Sequence, residues 1–390
     1  MKHASEAVRK VLLRCILDGG YRPEEVLPTI PAMAKMFNVS LGTMQTAIHT
    51  LKKDGVIEAR PREGIFVKAP RTAMRRGGRV GLVCTVPDEI LKRSPFSAEV
   101  VAALRKALAP AGLKLVACPL PAFTFDLVAR LRKQKLAGLI LLDVGSDRLI
   151  SELRELCLPM VSMDFDVSHL GISSVSFDNV AGAFDATRHL IRAGHRRIAF
   201  LRYLKLPPLR TRILYGYNVQ VDPVIAERML GYRLAMHGAG LVPVFMETRP
   251  ETLKQILLDL FVRRPPVTAI VCIATPLLGP IVNEARELGF RIPEDFSLIG
   301  YGNARTACGP NKVISYIWND YKGLGEETAR LFLEARSGPP PQRKLLPSKL
   351  MLHDSVAAAP PESTGKPVLA AAGAQAARAP GKVLQADIQE

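Results

Sequence analysis

Cysteine is scarce and scattered in this chain: Cys15, Cys84, Cys118, Cys157, Cys272 and Cys308 form no CxxC pair and have no histidine at ligand spacing. That pattern argues against a zinc site or a disulfide framework and fits reduced, buried thiols in a cytoplasmic protein. Long apolar runs are missing too, and the N-terminal MKHASEAVRKVLLRCILDGG interrupts its apolar residues with charges. Neither a secretory signal nor a membrane span is expected. No GxGxxG follows the first strand candidate, and neither a P-loop nor a GxSxG elbow occurs. The chain is therefore expected not to be an enzyme and to need no metal or cofactor. Acidic residues are in deficit: 36 Asp and Glu stand against 53 Lys and Arg, a net charge of +17 at pH 7. This exceeds what solubility requires and points to a polyanionic partner.

What is present divides into regions. A length of 390 residues suits two or three domains. Residues 1–68 carry amphipathic segments, and 69–79, APRTAMRRGGR, is a basic connector poor in large apolar side chains. From 80 to 354, short β-branched runs alternate with helical patterns, the rhythm of βαβ units around parallel sheets. Two successive series of such units suggest two lobes with a cleft between them, where ligands sit at the carboxyl ends of strands. From 355 to 390 the composition is Ala, Pro and Gly, expected to stay disordered because it cannot offset its ordering entropy. Basic density is highest at the front: residues 1–80 hold fifteen Lys and Arg against seven Asp and Glu.

The front region reads as three helices and a hairpin. Val8, Val11, Leu12, Cys15 and Ile16 form a helical stripe ending at Gly19-Gly20. Thr29 can cap a second helix that starts near Pro31 and buries Met33, Ala34 and Phe37. After the turn Asn38-Val39-Ser40, a third helix over 41–53 puts Met44, Ile48 and Leu51 inward and leaves Gly42, Thr43, Gln45, Thr46 and His49 outward. This is a helix-turn-helix, whose second helix fits the major groove of duplex DNA. The alternating segments 56–60 and 65–68 flank Pro61-Arg62-Glu63-Gly64 as a wing. Lys52, Lys53, Arg60, Arg62 and the connector arginines are candidates for phosphate contacts.

The run LPTIPAMAKMFNVSLGTMQTAIHTLKKDGVIEARPREGIFV resembles the winged helix-turn-helix of GntR-type transcription regulators. The resemblance implies that Ser40 and its neighbours, Leu41 among them, face base edges and that Gly64 approaches the minor groove. Where that family commonly places arginines, this chain has Pro31, Leu41 and Gln45. Gln45 becomes the candidate for an adenine N6/N7 contact, and a different operator is expected.

The runs SVSFDNVAGAFDATRHLIRAGHRRIAFL, ERMLGYRLAMHGAGL and TAIVCIATPLLGPIVNEARELGFRIPEDFSLIGYGN resemble the effector-binding region of LacI/GalR regulators, itself similar to periplasmic sugar-binding proteins. The combination is similar to arabinose-type repressors. It implies an α/β architecture, a winged helix-turn-helix followed by a two-lobed domain with parallel sheets. It also implies a homodimer on double-stranded operator DNA, with dimer faces near 96–109 and 277–288, and a small-molecule, carbohydrate-related effector. Carried across, the pocket would include Asp164 and Arg228, with Phe96 as a cleft wall and Thr275 and Asn303 near the cleft. The family's Asn-Asp pair is replaced by Ile273-Ala274 and its aspartate after Gly-Tyr by Gly302, so an ordinary hexose or pentose is not the expected effector. Asp178-Asn179 reads equally as a helix start, and His195 as a packing residue. The segment 203–224, with Arg210, Arg212, Tyr215 and Tyr217, reads as a cleft cover or a surface loop. The expected function is a DNA-binding transcription regulator, a repressor by family default. The alternatives are a ligand-independent regulator with a degenerate pocket, an enzyme, or a solute-binding protein.

Overall fold

The computed structural model describes residues 2–17, 20–21, 24–68, 78–84, 94–119, 127–142, 144–203, 223–263, 265–303, 305–337 and 340–360. These group into two compact units, one drawn from 2–176 and 321–345, the other from 177–203, 223–320 and 346–360.

The front of the first unit, called the reader domain below, is three helices and a hairpin, as expected. Helices α1 (Lys2–Leu17), α2 (Ile30–Met36) and α3 (Leu41–Lys53) are followed by β1 (Ile57–Arg60) and β2 (Gly64–Val67). The two strands pair antiparallel with Ile57 opposite Val67 and Arg60 opposite Gly64. Leu12, Leu13, Met33, Met44, Leu51 and Ile57 are fully buried in one cluster. The stripe on α1 is rotated from the expected one: Ser5, Val8, Arg9, Leu12 and Leu13 are buried, while Val11 is 52% exposed and Cys15 is exposed. Both sets follow helical spacing, and packing against α3 chose between them.

The rest of the first unit begins with β3 (Gly78–Cys84), α4 (Pro95–Leu108), β4 (Leu113–Pro119), α5 (Leu127–Lys133), β5 (Gly138–Leu142), α6 (Asp147–Arg154), β6 (Met160–Met163) and β7 (Ser173–Phe177). The second unit continues with α7 (Asn179–Arg192), β8 (Ile198–Tyr203), α8 (Pro223–Gly238), β9 (Val244–Thr248), α9 (Leu253–Val262), β10 (Ala269–Cys272), α10 (Thr275–Glu287) and β11 (Ser297–Tyr301). A small antiparallel ladder, β12 (Ala307–Gly309) with β13 (Lys312–Val313), precedes β14 (Ser315–Asn319). Then α11 (Tyr321–Ala335) and β15 (Arg343–Leu346) return to the first unit, and β16 (Ser348–Met351) to the second.

Each unit has a six-stranded sheet, ordered β15-β7-β6-β5-β3-β4 and β16-β14-β11-β10-β8-β9. The ladders from β7 to β4 and from β14 to β9 are parallel, and β16 runs antiparallel to β14. Parallel strands need cover on both faces, which explains why β5, β10 and β11 are buried throughout. In the second sheet Leu201, Ile270, Cys272 and Leu298 point into a cluster with Leu257, Leu260 and Ile281. Their alternate neighbours Phe200, Val271 and Ile299 meet Leu190, Tyr232 and Met236 on the other face. Helices α7 and α8 approach so closely that a Cβ on Gly231 would lie 2.1 Å from the Val180 carbonyl oxygen.

Two expectations are corrected. The ordered domain does not stop at 354. Ser355 is fully buried and donates to the Leu298 carbonyl, while its hydroxyl accepts from Ser315 N at 2.7 Å. Ala359 N donates to Ala193 O at 2.8 Å. Small residues give no apolar signal, but here their hydroxyl and backbone groups satisfy the rim of the sheet. Beyond the strands expected over 79–86, 114–118, 138–143, 159–164, 198–201, 268–273 and 296–300, the structure adds β7, β9 and β12 to β16. The connector up to Gly77, the segment 204–222 and residues 361–390 lie outside the described residues.

Candidate nucleic-acid interface and effector site

The presentation of α3 follows from its caps. Ser40 sits in extended conformation and its hydroxyl accepts from Thr43 N at 3.2 Å, filling one of the amide positions a helix start leaves open. The same oxygen lies 2.8 Å from Thr43 Oγ1. Thr29 caps α2 by accepting from Ala32 N at 3.4 Å. With Met44, Ala47, Ile48 and Leu51 inward, Leu41, Gly42, Gln45, Thr46, His49 and Lys52 are exposed and Thr43 is half-buried. Thr46 Oγ1 donates to Gly42 O at 2.8 Å, which holds its hydroxyl against the helix. A row of neutral polar groups therefore faces solvent beside an apolar one, Leu41, itself 51% exposed.

The wing residues differ from one another. Arg60 is engaged within the domain: Nε donates to Glu58 Oε1 at 2.8 Å, Nη2 donates to Glu24 Oε2 at 2.5 Å, and the guanidinium lies 4.2 Å from the Phe66 ring centroid. The Glu24 and Glu58 carboxylates hold its pKa above the ordinary value. It pins the wing in place. Arg62, at φ +66, and Gly64, at φ +121, occupy the exposed wing tip.

The expected effector residues fall in both units. In the first, Phe96 stacks edge-on against Tyr321 at 4.9 Å. Asp164 follows β6 at φ +76 and donates its N–H to Val175 O at 2.8 Å. In the second, Arg228 lies at the carboxyl ends of the strands. Its Nε donates to Asn179 Oδ1 at 3.0 Å, its Nη1 donates to Ile273 O at 3.2 Å, and its guanidinium covers the Tyr301 ring at 4.1 Å. Asn179 in turn donates from Nδ2 to Glu227 Oε2 at 2.9 Å. Thr275 Oγ1 donates to Tyr301 O at 2.5 Å, so Arg228 and Thr275 meet through one tyrosine. Asn303 is paired with the next strand: its Nδ2 donates to Asn319 O at 2.6 Å and its Oδ1 accepts from Asn319 N at 3.1 Å. The buried Asn319 Oδ1 has no hydrogen-bond partner among the described residues.

Glu227 and Tyr301 belong to the Arg228 cluster and were missed, Asn179 joins them, and Asn319 is tied to Asn303. Asp178 is the helix cap, accepting from Ala181 N at 2.9 Å, and Asn179 beside it holds the arginine. Gly302 sits at φ +110, and a Cβ there would lie 2.1 Å from Thr275 Oγ1. No aspartate fits at 302 in this arrangement, because the Thr275 hydroxyl occupies the space. His195 is a packing residue: fully buried, its Nε2 hydrogen is directed to Ala357 O at 3.1 Å, and Nδ1 accepts from Thr268 Oγ1 at 2.9 Å. Among the described residues no cluster of three or more His, Cys, Asp or Glu could hold a metal ion, and no helix is long and apolar enough to cross a membrane.

A helix-turn-helix reader in one chain with two parallel-sheet units is the build of a two-part transcription regulator. Residues 4–67 match the model of the bacterial regulatory proteins of the gntR family, and 187–356 match that of the periplasmic binding protein-like domain. The HTH-type transcriptional regulator CelR of Thermobifida fusca is 27% identical over 349 residues, 84% of this chain and 98% of that protein. The arabinose metabolism transcriptional repressor of Geobacillus stearothermophilus is 24% identical over 350 residues, 84% of this chain and 89% of that one. A solved complex of the regulator CelR with cellobiose has the same fold, with a TM-score of 0.60 at 23% identity over 85% of this chain and 100% of that chain. The chain carries a gntR-family DNA-binding domain and a periplasmic-binding-protein-like domain, and it is a DNA-binding transcription regulator.

Proposed function

We propose that this regulator is a cytoplasmic, homodimeric, non-enzymatic repressor that grips operator DNA with α3 and the wing, and that a small effector held at the Arg228 cluster changes that grip. The observation that carries the reading is the capped, solvent-facing row on α3 in a chain of net charge +17. Ser40, Thr43, Gln45, Thr46 and His49 supply neutral donors and acceptors for base edges, Gln45 suits adenine, and Leu41 suits a thymine methyl. Lys52 and Arg62 supply phosphate contacts whose strength falls with salt. Repression is supported by the name of the arabinose relative.

The effector is carbohydrate-related, as the cellobiose and arabinose of the relatives' names suggest, but it is read through Arg228 and not through carboxylates after β10 and β11. Ala274 and Gly302 stand in those places, and Thr275 closes the second. Arg228 Nη2 has no partner among the described residues and can donate to a ligand acceptor. Its pairing with Asn179 and Ile273 O holds the fork in place before ligand arrives.

Incubating the full chain with DNA from upstream of its own gene tests the first half. A salt-sensitive mobility shift is expected, and no shift at low salt overturns it. Thermal-shift measurements across sugars, sugar acids, polyols and nucleosides test the second half, since a ligand of the native state raises the melting temperature. Arg228→Ala should abolish the stabilisation and spare the shift of DNA. Operator binding with no response to any of these ligands would favour a ligand-independent regulator, the reading that the closed Gly302 position supports.

A further inference from the structure

The proposed function uses neither α1 nor the corner after α6, yet a buried ionic cluster joins them. Arg9 is only 2% exposed. Its Nε and Nη2 donate to Glu6 at 2.9 and 2.6 Å, and Nη1 donates to Asp54 at 3.3 Å, both carboxylates of the reader domain. The third carboxylate comes from beyond the connector: Glu155 Oε2 lies 3.6 Å from Arg9 Nη2, and its Oε1 lies 3.4 Å from Lys10 Nζ. Arg132 donates to the Glu155 carbonyl at 3.2 Å and fixes the corner.

Two further contacts cross at the same place. The last carbonyls of a helix have no partner within it, and a cationic donor there is favoured. Arg154 Nη2 supplies one, donating to the carbonyl of Leu17, the last residue of α1, at 2.5 Å. Cys157, at φ +51, packs against the reader's apolar core, and burial pushes its thiol up to about 11. A buried arginine, a helix end and a core edge of the reader are thus all completed by residues 154–157.

We infer that the corner at 154–157 is a seat for the reader domain, and that this seat, besides the connector, sets the orientation of α3 through α1, on which α3 packs. The inference rests on the regulator reading for its consequence, while the docking itself can be tested without DNA. A zero-length carbodiimide couples an amine to a carboxylate only in direct contact. In the full chain it should join Lys10 to Glu155, as read by peptide mass spectrometry, and Glu155→Gln should remove the link.

The double variant Glu155→Lys, Arg154→Ala should speed hydrogen exchange in α1 and leave affinity for a single half-site unchanged. On a two-half-site operator, wild type should prefer the native spacing by about tenfold over one lengthened by half a turn, ~5 base pairs, and the variant should lose most of that preference. Absence of the Lys10–Glu155 link in wild type, or a spacing preference untouched in the variant, overturns the seat. Wild type that makes the link yet binds no operator leaves the docking standing and overturns the regulator reading and the orienting role built on it.

Discussion

The outer face of α3 and the surroundings of Arg228 treat polar side chains in opposite ways. Among the described residues the polar groups on α3 bond only to their own helix: Ser40 to Thr43, and Thr46 to the Gly42 carbonyl. Around Arg228 they bond across elements: Asn179 from α7, Glu227 and Arg228 from α8, the Ile273 carbonyl after β10, and Tyr301 from β11. The contrast follows from what each surface meets. The outer face of α3 is solvated, so local capping is enough to shape it. In the part-buried cluster around Arg228 an unpartnered donor would cost a few kcal/mol, so its groups hold one another. One region should therefore tolerate substitution in stability and lose function, and the other should lose both.

The largest expected effect breaks the second region through packing. Gly231→Ala would drive a methyl into the Val180 carbonyl and should cost about 3 kcal/mol, lowering the melting transition by several degrees. Calorimetry showing no shift would mean that α7 and α8 slide apart freely and that the site has no rigid frame. Next, Gln45→Ala should weaken operator binding about tenfold, within the ~1–3 kcal/mol of a bidentate base contact, with an unchanged melting temperature. Unaltered affinity in a titration would remove Gln45 from the base contacts. Ser40→Ala deletes the α3 cap and should cost about 1 kcal/mol, visible as an earlier onset of unfolding in the reader domain; a loss several times larger would show that the α3 face is not merely locally held.

The smallest effect is one of pH. Burial holds His195 below the ordinary 6.5, so it stays neutral where the unfolded chain takes up a proton. Its contribution is complete above about pH 6.5 and drains away as pH falls through the lower folded-state value. Between pH 7.5 and 5 the wild-type melting temperature should fall more steeply than that of His195→Asn. Parallel curves would show that the imidazole is solvated.

Much of the reader was legible because its signals are local. Thr29 announces a helix start, and the inward set Met44, Ile48 and Leu51 fixes the face of α3 once its period is read, whereas the capping role of Ser40, read as part of the turn, emerged only from the structure. The stripe of α1 was misread because residues 8, 12 and 16 belong to two equally regular faces, and the chosen one contains a charge. Arg9 is buried because Glu155, far along the chain, completes its partners, and no local pattern carries that information. Around Arg228, the resemblance pointed to the arginine and to Thr275 and left Asn179 open, because Asp178-Asn179 reads equally as a helix start. Strand β9 is half-exposed and β15 largely exposed, so neither shows the in-and-out alternation that marks a strand, while β14 and β16 are only five and four residues long.

Sequence alone determined the charge that calls for a polyanion, the helix-turn-helix with its Thr29 cap, and the alternation of strand and helix, because charge, capping and periodicity act within a few residues. Only the tertiary structure decided that Arg60 is held by carboxylates, that Thr275 fills the space beside Gly302, and that Ser355 belongs to the sheet domain. Each of those outcomes depends on groups brought together from distant parts of the chain, where burial and hydrogen bonding choose among partners that spacing leaves equal.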